Sequence, residues 1–98
     1  MLWRHGDVLI ATIDEIPADA VRRNSPVLVY GEATGHAHRL EEPATAEIWQ
    51  VNDELFLRVI DIARIIHEEH QPITLPTGTY RIWQQREYTP GAVRRVID

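Results

Sequence analysis

The stretch Glu54-Leu55-Phe56-Leu57-Arg58-Val59-Ile60-Asp61-Ile62-Ala63-Arg64-Ile65-Ile66-His67-Glu68-Glu69-His70 decides the fold. Arg58, Asp61, Arg64 and Glu68 recur at helical spacing, whereas Val59, Ile60, Ile62, Ile65 and Ile66 are β-branched. Such side chains pack well on a pleated, half-buried surface and lose rotamer freedom in a helix. Period argues for helix and residue type for strand. The neighbouring segments read as strands, and a lone helix here would need a sheet face of matching length to cover. We therefore read 54–70 as two strands with an irregularity near Asp61.

Working outward, Asn52-Asp53 between two apolar runs is a hairpin turn, preceded by a strand over Ala46 to Val51 and a loop at Glu41-Glu42-Pro43. Val27 to Leu40 reads as one long extended segment. Pro17 to Arg23 reads as one or two helical turns, with proline at the start and Asn24-Ser25-Pro26 at the end. Gly6-Asp7 opens a first strand over Val8 to Ile13. Downstream, Leu75-Pro76-Thr77-Gly78 has the proline and glycine positions of a type I turn and is expected to reverse the chain. Tyr80 to Tyr88 is a strand, Pro90-Gly91 a turn and Ala92 to Ile97 a last strand. With no repeat or Gly/Ser linker, the expectation is one all-β domain over 1–98. It would be a small barrel or sandwich of six to eight short strands with at most one short helical turn.

A chain of 98 residues and 11.3 kDa supports one core, burying roughly 65% of the unfolded surface. No apolar run approaches the ~20 residues of a membrane helix. Met1 to Asp7 lacks the apolar region of a secretory signal, so a cytoplasmic location is expected. The absence of cysteine excludes disulfides, thiolate metal sites and cysteine nucleophiles. All ten basic residues are arginine, which excludes lysine Schiff bases and the lysine-bearing phosphate loop. A net charge of −5 argues against broad attraction to nucleic acid, although a local arginine patch can still bind phosphate.

Chemistry concentrates in three clusters. The first is Gly31-Glu32-Ala33-Thr34-Gly35-His36-Ala37-His38-Arg39-Leu40, in which His36 and His38, two apart, share one face of a strand. Paired imidazoles offer neutral nitrogens to a divalent metal, although histidine pairs on solvated strands without a metal are the commoner case. The glycines flanking Glu32 to Thr34 mark a bulge or a close backbone approach. The second is His67-Glu68-Glu69-His70, whose histidines would point oppositely on a strand, so that one reaches the His36/His38 site. This is not the zincin motif, whose histidines are four apart on a helix. The third is Gln84-Gln85-Arg86-Glu87-Tyr88. Alternation groups Tyr80, Ile82, Gln84, Arg86 and Tyr88 on one face, where arginine could orient an anion or form an ordinary cross-strand ion pair.

Gly31, His36-x-His38 with Glu42 four residues later, and Pro76-x-Gly78 together resemble a fragmentary cupin signature. The resemblance covers about fifteen positions and implies a small β-barrel with a metal held by histidines and a glutamate. The spacing from Gly31 to His36 is one residue short, and Arg81 stands where the second motif carries histidine. His67 or His70 would then have to supply the missing ligand.

Three functional readings follow. In the first, His36, His38 and His67 or His70 hold zinc, manganese, iron or nickel. Glu32 or Glu42 is a further ligand or base, and bound water is activated for hydrolysis. In the second, a metal-free enzyme cleaves RNA phosphodiesters with histidines such as His36, His38 and His67 as acid and base. Arg39 or Arg86 would bind phosphate, Tyr80 or Tyr88 would position substrate, and Gln84 would add a contact. The third is a protein-interaction module, with a second copy or another protein anchored on Trp3, Trp49 or Trp83. No membrane partner is expected. Whether His5 joins the site is left open by the sequence.

Overall fold

In the computed structural model, residues 1–31, 35–89 and 92–95 are described, the last two strands by their backbone alone. Strands β1 (Leu2–His5), β2 (Val8–Thr12), β3 (Val21–Arg23), β6 (Ala46–Val51), β7 (Glu54–Val59) and β10 (Gly78–Gln84) form a six-stranded antiparallel sheet, ordered β1-β2-β10-β7-β6-β3. Strands β4 (Val27–Tyr30), β5 (Ala37–Leu40), β8 (Ala63–Ile66) and β9 (Ile73–Leu75) form a four-stranded sheet in that order. β11 (Arg86–Thr89) and β12 (Ala92–Arg95) pair separately. The domain is all-β and sandwich-like, with open sheet edges rather than a closed barrel. No helix among the described residues is long and apolar enough to cross a membrane.

Alternation builds the core. Val8 and Ile10 on β2, Ile48 on β6, Leu57 and Val59 on β7, and Tyr80 and Ile82 on β10 are buried on one face of the large sheet. Leu28, Leu40, Ala63, Ile65 and Leu75 of the small sheet join them in a single cluster. Each large side chain so buried contributes about 1.5–3 kcal/mol relative to exposure. The polar residues between them, Arg58 and Arg81 for example, face solvent.

The segment 54–70 forms two strands, β7 and β8, separated by a bend at Ile60-Asp61. Ile60 and Asp61 donate their backbone N–H groups to the Thr45 carbonyl there. β7 belongs to the large sheet and β8 to the small one, so the β-branched run is continuous because it crosses between layers.

Three expectations are corrected. Pro17 to Arg23 is not helical: Ala20 N–H closes a turn on the Pro17 carbonyl and Val21–Arg23 pairs with β6 as an edge strand. The single helical turn among the described residues, of 3-10 type, lies at Pro43–Thr45. Val27 to Leu40 is not one strand but the hairpin β4-β5, with Gly35 at φ 83 in its connection. Finally, Pro76 and Thr77 do not close a hairpin, since β9 pairs with β8 and β10 with β7 and β2. Breaks of this kind raise the number of strands to twelve among the described residues. Pro90-Gly91 lies outside the described residues, as does the Ile97 end of the last expected strand.

A candidate metal centre of buried imidazoles

The site forms where the β1-β2 turn of the large sheet meets β5 and the β8-β9 connection of the small one. Gly6-Asp7 is the two-residue hairpin turn between His5 and Val8, and Gly6 takes the φ of 63 that such turns require. The turn sets His5 and Asp7 inward, 2% and 3% exposed. His38 lies on β5 opposite Val29 and is 0% exposed. His67 follows the last residue of β8 and is 7% exposed, and His70 lies half-buried in the same connection.

The rings converge. His67 lies with its centroid 4.5 Å from that of His38 and 4.4 Å from that of His70, and His38 and His70 are 5.6 Å apart. Each of these three offers a nitrogen such that all lie within 4.8 Å of one another, the one such group among the described residues that could hold a metal ion. His36 stands beside it, its ring 5.4 Å from His67 and its Nε2 3.9 Å from Glu69 Oε1. His36 is thus near the group but outside it. Both histidines of His67-Glu68-Glu69-His70 reach the site, correcting the expectation of one, because the segment is a bend rather than a strand.

Glu68 joins the two histidine segments. Its carboxylate accepts from the Ala37 N–H at 2.8 Å, between His36 and His38, and pairs with Arg39 at 2.5 Å. The Ala37 hydrogen bond first, and then Arg39, hold its pKa down at about 2. Gly31 supports the same loop: its N–H donates to the His36 carbonyl, and a Cβ there would come within 3.1 Å of His36 Cβ. The close approach expected of this glycine is therefore observed.

Burial, reinforced by the neighbouring His38, His70 and His67, lowers the His5 pKa from 6.5 to about 4, against an opposing pull from the Gln71 backbone. Burial and neighbouring imidazoles thus favour the neutral form of the His5 ring, the form that ligates metals. His5 Nδ1 lies 2.9 Å from His38 Nδ1, and His38 Nε2 lies 3.4 Å from Asp7 Oδ1. Asp7 Oδ2 accepts from the Gln84 amide at 3.0 Å.

The remaining expected residues fall elsewhere. Tyr80 is core: its hydroxyl donates to the Pro76 carbonyl, its ring meets Trp3 edge-on, and burial raises its pKa. This position is not that of a substrate contact. Gln84 acts through Asp7, and Arg39 is engaged by Glu68. Glu42 is exposed at the head of the 3-10 turn. Trp49 and Trp83 are part-buried beneath Arg58 and Arg81. Glu32 and the side chains of Arg86 and Tyr88 lie outside the described residues. Sequence reasoning missed Asp7 and left His5 undecided. The available signal was the glycine between them, which makes a tight turn and brings both residues to the same end of the sheet.

A protein-family profile described as a domain of unknown function, DUF8820, matches residues 4–85. The chain belongs to that family. The matched DUF8820 region contains all five histidines and Asp7, and ends before β11. No curated protein and no solved structure matches the chain.

Proposed function

We propose that this domain binds a divalent transition-metal ion through His38, His67 and His70. The observation that carries the reading is the convergence of three imidazole nitrogens within 4.8 Å, two of them on buried rings. Buried polar groups need partners, and a shared cation supplies one for several lone pairs together. Nitrogen-only donors favour zinc, iron or nickel, whereas manganese prefers oxygen. His67 Nδ1 accepts from the Glu69 N–H at 3.0 Å. A neutral ring accepting there carries its proton on Nε2, so ion entry exchanges this hydrogen bond for a metal bond.

Hydrolysis is the reaction such an ion would support only if water, rather than a fourth side chain, completed its coordination. Cleavage of RNA by an acid–base pair receives less support, because Arg39 is committed to Glu68. The test is metal analysis of protein purified without a polyhistidine tag and supplied with zinc or nickel. Stoichiometric metal is expected in the parent, with loss in His38→Ala and His67→Ala. A parent that stays metal-free under saturating supply would reject the proposal.

A further inference from the structure

Three imidazoles leave a tetrahedral ion one position short, and a fourth ring, His5, stands beside them, its centroid 4.9 Å from His38, 6.3 Å from His67 and 5.7 Å from His70. Its Nδ1 is 2.9 Å from His38 Nδ1. Two nitrogens bound to one zinc at 2.0–2.1 Å sit about 3.3 Å apart at the tetrahedral angle, so small outward shifts of both rings would admit an ion between them.

Proton placement favours the ion over a simple hydrogen bond. The Asp7 carboxylate, 3.4 Å from His38 Nε2, asks for a proton on that nitrogen and so leaves a lone pair on His38 Nδ1. In the metal-free protein His5 must then donate from its own Nδ1, which makes its Nε2 a bare lone pair. That Nε2 is buried and has no hydrogen-bond partner. With a cation between the two Nδ1 atoms, both distal nitrogens carry protons, and that of His38 faces the Asp7 carboxylate. This is the usual arrangement behind metal-bound histidines, in which a carboxylate or carbonyl orients the ligand.

Resting on the three-histidine reading above, we propose that His5 is the fourth ligand, bound through Nδ1, and that Asp7 is the positioning residue that turns His38 Nδ1 toward the ion. The bound ion is then closed off by four imidazoles, with no position for water, and it stitches the β1-β2 turn to the small sheet. Such an ion stabilises or senses rather than hydrolyses.

Cobalt(II) loading and nitrogen-15 spectroscopy of the zinc-loaded parent test this. The parent is expected to give the intense visible absorption of tetrahedral cobalt, with the Nδ1 resonances of His5 and His38 shifted by metal. His5→Ala should keep an ion through the remaining three histidines, with affinity lower by about 10- to 100-fold. It should also show the weaker spectrum of a water-bound ion, and added imidazole should restore the parent spectrum. Asp7→Asn should weaken binding in the same range and redistribute the His38 nitrogen signals. If His5→Ala folds poorly, the nitrogen spectrum of the parent decides alone. A parent that binds metal while His5 Nδ1 stays unshifted, or a His5→Ala protein with unchanged affinity and spectrum, overturns the assignment of His5 and leaves the three-histidine reading standing. A parent that binds no metal overturns both.

Discussion

Two regions of this small sandwich are equally dry and chemically opposite. Between the sheets, Ile10, Leu57, Ile65 and Leu75 are essentially inaccessible and need only apolar neighbours. At one end, His5, His38, His67 and Asp7 are nearly as well buried, yet none is satisfied by packing alone. Apolar burial is favourable in itself, whereas burial of titratable groups is unfavourable until something answers their lone pairs and charges. The comparison teaches that the imidazole end derives its stability from partners, and a bound ion is the partner proposed.

The largest effect should come from the apolar region. Leu57→Ala is expected to cost about 2–5 kcal/mol, equally with and without zinc, in denaturant unfolding. A cost that depended on zinc would show that the two regions are not separable. The histidine end should behave in the opposite way. Zinc at a thousandfold excess over Kd should stabilise the parent by about 4 kcal/mol, seen as a rise in Tm that His67→Ala abolishes.

Acid distinguishes the regions next. The His5 pKa is lowered from 6.5 to about 4 by burial and by its histidine neighbours. Between those values the unfolded chain takes up a proton that the folded one refuses, so stability falls as pH drops from about 6.5 toward about 4. Denaturation of metal-free protein across that range should show this slope, and His5→Ala should flatten it. An unchanged slope would remove His5 as its source.

Smaller effects should follow from the supports. Glu68→Gln keeps the shape but loses the charge that engages Arg39. It is expected to weaken zinc binding several-fold in calorimetric titration, with little change in the unfolding of metal-free protein. Gly31→Ala pushes against His36 Cβ. Because His36 stands outside the three-ligand group, this change should alter zinc affinity least of all, and a large loss would bring His36 into the coordination sphere.

Much of the sandwich was legible in the sequence. Val59, Ile60, Ile62, Ile65 and Ile66 overrode a helical spacing of charges because β-branched residues suit both layers that the segment visits. Asn52-Asp53 specified its hairpin through local turn chemistry, and Asn52 indeed takes a φ of 52. What was lost is non-local. Val27 to Leu40 was not divided although Gly31 and Gly35 mark a break, because two glycines in an extended run fit a bulge as well as a reversal. His67 and His70 were expected on opposite faces because strand alternation was extended past the end of β8. Asp7 carried no motif, and its importance arises only when His38, remote in the chain, comes to lie beside it.

The pairing of β2 with β10 carries a consequence for assembly. Val8 pairs with Gln84, remote in sequence, and this contact lies inside the large sheet, one strand in from its β1 edge. Closing so long a loop is entropically costly before any reward arrives, and proteins dominated by such pairings fold in milliseconds to seconds rather than microseconds. On the ribosome, β2 must wait for β10 to emerge, so Val8 to Thr12 lacks its partner on that side until residues 78–84 have been made.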